Sequence, residues 1–153
     1  LAENGVCGAL WADWWGFKIE AYDGIQENIA LVDRPAGGCA IVHSDSDEGI
    51  QRLNQEAAKA MLRGNRAGLD IPPERAIRWI THNAAKSLGV HEQTGSVESG
   101  KMADVVVWNQ DPFSVYAKPL EVYIDGVLLY EQDNSSLSPK SDFELGQLMG
   151  AAQ

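Results

Sequence analysis

Two short runs of unbroken apolarity set the tightest limit on what this chain can fold into. The first spans Gly5 to Trp11, and the second, Cys39-Ala-Ile-Val-His43, follows the pair Gly37-Gly38. Continuous apolarity over so few residues predicts strands covered on both faces, as in a parallel sheet. Between them, Asp23 to Val32 reads as a helix with Ile25, Ile29 and Val32 on one face, stopped near Arg34 by Pro35. The segment is therefore a strand-helix-strand unit.

Helices follow. Glu48 to Arg63 places Ile50, Leu53, Ala57, Ala60 and Met61 at helical spacing, with Gly64 as a stop. Pro72-Pro73 opens a third helix whose buried face is Ile77 and Ile80, and a short helical turn from Asn83 to Leu88 ends at Gly89. From Gly95 the pattern changes to strands. Asp104-Val-Val-Val-Trp108 reads as a buried run, with Gly100-Lys101 an exposed turn before it, and Val122 to Tyr130 as a hairpin. Its Asp125-Gly126 turn suits a type I′ geometry, in which both central residues take positive φ. This divides the chain into residues 1–92, residues 93–133 and a tail, 134–153, in which Phe143 to Met149 predicts a weak helix.

The chain has 153 residues, 44% of them hydrophobic, which is enough for a real core. Its net charge of −10 repels phosphate backbones and anionic headgroups, so nucleic acid and membrane surfaces are poor partners. No apolar run approaches the roughly 20 residues that span a bilayer. The chain begins with Leu1 rather than Met, which leaves an upstream segment and a signal peptide open and assigns no compartment. Cys7 and Cys39 form no metal motif and no disulfide framework, and each reads as a small buried hydrophobe.

His43-Ser-Asp-Ser-Asp-Glu48 is the most informative segment, because it lies where a buried strand ends and a helix begins. In α/β folds catalytic groups collect at that end. Asp45 with Glu48 also has the spacing of a capping box, and local sequence alone favours a helix cap. His43, Ser44 and Asp45 are neighbours on a strand end, where side chains alternate in direction, so adjacency alone makes no hydrolytic triad of them. The segment Asp13-Trp14-Trp15-Gly16-Phe17-Lys18 follows the first strand. Trp14, Trp15 and Lys18 either wall a substrate pocket at the same mouth or pack the loop onto the strands. Asn54 reads as a helix-packing residue.

Three motifs occur in order: Ile80-Thr-His-Asn-Ala-Ala-Lys-Ser-Leu-Gly89, Thr94-Gly-Ser-Val-Glu-Ser-Gly-Lys-Met-Ala-Asp-Val-Val-Val-Trp108, and Val122-Tyr-Ile-Asp-Gly-Val127. Together they resemble the ending of the metal-dependent amidohydrolase superfamily, in particular its imidazolonepropionase-related and prolidase-like members. The resemblance runs from about Gly5 to Glu131. It implies the last part of a (β/α)8 barrel, with residues 1–92 carrying strands seven and eight, and residues 93–133 contributing strands to a small β-sandwich. Lys101 and Asp104 identify the family without touching substrate.

The implied activity is hydrolysis of C–N bonds in small amides, cyclic amides or dipeptides by one or two divalent metals, zinc first among them. The family's ligands are an H-x-H pair, a modified lysine or glutamate, two further histidines and an aspartate after the eighth strand. Asp45 matches that aspartate, as metal ligand and proton shuttle, with His43 near the pocket. His82 and His91 match no ligand position. A chain with one ligand of the set is expected to bind no metal tightly and to be inactive alone. The expected partner is the rest of the barrel or a second copy exchanging strands. The alternative is a non-catalytic scaffold or assembly module that kept the family's ending.

Overall fold

A computed structural model describes residues 1–137. The expected tail helix, Phe143 to Met149, lies outside them. The first apolar run forms β1 (Gly8–Leu10) and the second β2 (Ala40–Val42), paired in parallel with Gly8 opposite Ala40 and Leu10 opposite Val42. The crossover helix α1 (Asn28–Asp33) is shorter than the periodicity suggests. Residues 23–27 form turns instead, and Ile25 is exposed beside a cavity. Ile29 keeps its expected place in the core.

This register overturns the reading of the cysteines. Cys7 and Cys39 each precede one of the paired strands, so their Cα atoms lie 4.5 Å apart and they form a disulfide. Thirty-two residues of sequence separate them. Only the parallel pairing makes them neighbours.

The helix after β2 begins as a 3₁₀ turn at Gly49–Arg52 and continues as α2 (Leu53–Arg66). Gly64 does not stop it. A Cβ there would lie 2.7 Å from the Ala30 Cβ and 2.5 Å from an Ile71 methyl, so glycine lets α2 close onto α1. Pro73 opens α3 (Pro73–Ala76), and a 3₁₀ turn carries Trp79 wholly into the core. That indole packs with Ala57, Ala60 and Val42 into one cluster, and its truncation to alanine costs about 3–5 kcal/mol. Next comes α4 (His82–Ser87), whose buried Asn83 donates its side-chain N–H to the Ala40 carbonyl of β2 at 2.8 Å. The asparagine of the T-x-N pattern thus locks a helix to the strand that leads to Asp45.

Strands β3 (Val105–Trp108), β4 (Pro119–Ile124) and β5 (Val127–Glu131) form an antiparallel sheet in that order. Asp125 and Gly126 both have positive φ, 50° and 76°, as the turn dipeptide requires. The expected burial of β3 is not observed: Val106 and Val107 are exposed among the described residues. Phe113 and the Asn54 side chain, which donates to the Pro112 carbonyl at 2.7 Å, tie this part to the helical core. Asn54 is accordingly a packing residue.

The G-S-V-x-x-G-K-x-A-D motif is explained by this tie. Gly100-Lys101 does lie in a turn, closed by the Lys101 N–H on the Glu98 carbonyl at 3.2 Å, but the Lys101 side chain folds back and is 13% exposed. Its ammonium donates to the His91 carbonyl, the Ser96 hydroxyl and the Glu98 carboxylate. Asp104 accepts from the Thr94 hydroxyl and the Asp125 N–H. Gly95 takes φ 90°, and a Cβ on it would meet the Ala85 Cβ of α4 at 2.6 Å.

Candidate active site

The carboxyl ends of β1 and β2 open side by side, away from the disulfide. Residues after β2 place His43 and Asp45 together, with Nδ1 of His43 3.6 Å from a carboxylate oxygen of Asp45. The Asp45 side chain is 60% exposed. It does not cap the following helix. The N-cap position of that turn is Glu48, which has no side-chain cap; the Ser46 hydroxyl accepts the Gly49 N–H at 3.0 Å, while the Ser44 hydroxyl accepts the Ser46 N–H. These short-range bonds turn the chain sharply and leave the Asp45 carboxylate with the His43 imidazole as its side-chain neighbour.

Residues after β1 build an aromatic wall. Trp11 lies 5.6 Å from Trp14, 5.9 Å from Phe17 and 5.8 Å from the His43 ring, and Trp14 meets Phe17 edge-on at 4.9 Å. Beside them is a cavity of about 310 Å³ lined in part by Trp11, Trp14, Trp15 and His43. Three of the residues singled out from sequence therefore meet in one cavity. Lys18 does not join them: it lies over the Phe17 ring, 5.2 Å from its centroid, and Asp45, 3.6 Å from His43, is not among the lining residues. Trp11 and Phe17 were missed. Trp11 reads as part of an apolar strand, and the available signal is its place at that strand's carboxyl end.

Behind this wall, Lys59 of α2 pairs with Asp13 and anchors the loop. The neighbouring Glu56 is 6% exposed. Burial, and after it the charge of Asp13, raises its carboxyl above the ordinary glutamate range, with Lys59 acting against them.

The described residues do not fit a complete metal centre. No group of three or more His, Cys, Asp or Glu side chains among them could hold an ion, and both cysteines are spent in the disulfide. His82 and His91 stack on each other at 6.0 Å, on the far part of the chain by Lys101. Burial lowers the His82 pKa, and Arg78 and Lys101 add a positive surrounding that disfavours a cation. Asp45 therefore belongs to no metal-binding group among the described residues.

Comparison with known proteins decides the family, since the amidohydrolase family pattern matches residues 32–129, most of the chain. The chain belongs to the amidohydrolase family. It is similar to the amidohydrolase tasK of Hapsidospora irregularis, with 34% identity over 80% of this chain and 12% of that protein. An imidazolonepropionase of Shewanella pealeana is 46% identical over 71% of this chain and 25% of its own length. An N-substituted formamide deformylase of Arthrobacter pascens is 33% identical over 50% of this chain and 16% of its own length. The crystal structure of an amidohydrolase from Thermotoga maritima superposes with a TM-score of 0.70 at 32% identity, covering 86% of this chain and 33% of that one. The chain thus spans a quarter or less of the curated relatives described here.

Proposed function

We propose that this amidohydrolase chain supplies the mouth of strands seven and eight, with Asp45, to a hydrolase that cleaves C–N bonds of small amides. The observation that carries this reading is the open carboxylate of Asp45, which caps no helix, at the carboxyl end of a parallel strand. A carboxylate in that place accepts the proton of an attacking water and returns it to the leaving amine, a service worth about 10²–10⁴-fold in rate. His43 at 3.6 Å limits the directions the carboxylate can take. Asp45→Asn keeps the size of the side chain and is expected to abolish turnover in protein carrying a complete barrel, with an unchanged melting temperature. Steady-state assay of amine release measures this, and near-normal turnover in the variant leaves the chain a scaffold.

The reading includes a partner. Among the described residues, β1 and β2 pair only with each other, so each has an open edge. A parallel pair is stable when neighbouring strands and helices cover it. The missing strands come from the rest of a barrel or from a second copy, and the further donors a metal needs come with them. Light scattering of the 153-residue chain is expected to show association that rises with concentration. A persistent monomer that unfolds cooperatively would sink this part of the reading.

A further inference from the structure

The cavity beside His43 has a chemistry narrower than small amides in general. We propose that it recognises a flat, uncharged ring carried by the amide, aromatic or heteroaromatic, with Trp11, Trp14 and Trp15 as its walls. The inference rests on the hydrolase reading for the reaction, though not for the binding.

The cavity lining holds neither a carboxylate nor an ammonium or guanidinium group. Its polar side-chain groups are His43, Asn28 and the indole N–H groups of the three tryptophans, of which Trp11 Nε1 is buried with no partner among the described residues; Asn28 is spent on the fold, its amide donating to the Trp11 carbonyl at 3.0 Å and its oxygen accepting the Ile29 N–H. Lys18, the cation in the loop, is held outside over Phe17. A ligand carboxylate or ammonium entering here would lose water without gaining a counter-charge. A ring loses little and meets ring faces and edges, which favour offset or tilted stacking.

The surface outside continues the same character. Trp15, Phe17, Ile19, Tyr22 and Ile25 are all exposed along the loop after β1. A run of exposed large apolar groups beside a cavity marks a binding surface. The loop is also held in shape. Lys59 pairs with Asp13, Asn28 holds Trp11, and the N–H groups of Gly16 and Gly24 both donate to the Ala21 carbonyl. About 310 Å³ lies at the small end of the range for ligand pockets, so the occupant is one ring with a short linker rather than a peptide. His43 is common to both groups, its ring 5.8 Å from Trp11 and its Nδ1 3.6 Å from Asp45, so the ring site and the carboxylate share this imidazole.

Isothermal titration of the 153-residue chain tests the assignment with three probes. Acetanilide carries a neutral ring, 4-acetamidobenzoate the same ring with a charge, and N-butylacetamide no ring. Acetanilide is expected to bind at least about tenfold more tightly than either of the others. Trp14→Leu is expected to remove that preference while far-ultraviolet circular dichroism stays unchanged. Trp15→Leu, at an exposed position, provides the same test if Trp14→Leu does not fold. Equal affinities for the three probes, or a preference that survives both substitutions, would overturn the ring site. Asp45→Asn is expected to bind acetanilide normally, so loss of turnover with retained binding separates the failure of one idea from the failure of the other.

Discussion

The antiparallel sheet and the mouth of the parallel pair spend their polar groups in opposite ways. In the sheet region, Lys101 has three acceptors and Asp104 has two donors, all from this chain. At the mouth, Asp45 has His43 beside it and is otherwise open, and the tryptophan loop turns several rings toward solvent. The most specific sequence signature therefore belongs to the region whose chemistry is already consumed by folding. The region open to a ligand has a weaker local signature, because a carboxylate or a tryptophan there need satisfy no partner in the chain.

The largest effect expected from breaking this contrast lies at the base of the mouth. Cys39→Ser opens a loop closed by the Cys7–Cys39 bridge, and the chain-entropy relation for a loop of this length gives a loss of about 3–4 kcal/mol. Urea unfolding with and without a reductant measures it. Equal midpoints would mean that the strand pair is held without the bridge.

Lys101→Met sharpens the comparison from the other side. It leaves the His91 carbonyl without its Lys101 donor, at a cost of about 1–3 kcal/mol, while the Ser96 hydroxyl keeps its bond to the exposed Glu98 carboxylate. Turnover of the complete enzyme at a temperature well below melting is expected to stay within about twofold, because Lys101 is far from the mouth in its contacts. Asp45→Asn gives the reverse pattern, lost turnover with intact stability. If Lys101→Met abolished turnover without loss of stability, the division between a satisfied scaffold and an open mouth would fail.

The smallest effects concern two carboxylates with opposite shifts. Hydrogen bonds from Thr94 and from the Asp125 N–H hold the Asp104 carboxyl below the ordinary aspartate range. Its contribution is therefore full above that range and is lost as pH falls through the lowered value. Glu56 is raised by burial, so the folded state holds its proton more tightly than the unfolded state does. Stability consequently falls as pH rises from the ordinary glutamate range through the raised value. Asp104→Asn is expected to flatten the acid side of a denaturation-midpoint profile, and Glu56→Gln the rise-side loss. Swapped or absent effects would contradict the assigned environments.

Sequence alone determined the parts governed by local rules. The apolar runs mark the two parallel strands, Pro73 opens a helix, and Asp125-Gly126 closes a hairpin, since each depends on the conformation or hydropathy of consecutive residues. The resemblance carried by the three motifs identified the family. Sequence misjudged what depends on residues far apart in the chain. Neither the cysteine pairing nor the close packing at Gly64 has a local signal, because register and helix approach are fixed only when β1 meets β2 and α2 meets α1. That the Ser46 hydroxyl and not the Asp45 carboxylate accepts the Gly49 N–H was a choice among neighbouring oxygens that the spacing left degenerate and the path of the turn decided. Trp11 joined the pocket for the same kind of reason. Its ring meets Trp14 and Phe17 within its own loop, but His43 only where the ends of two strands, distant in sequence, are brought side by side.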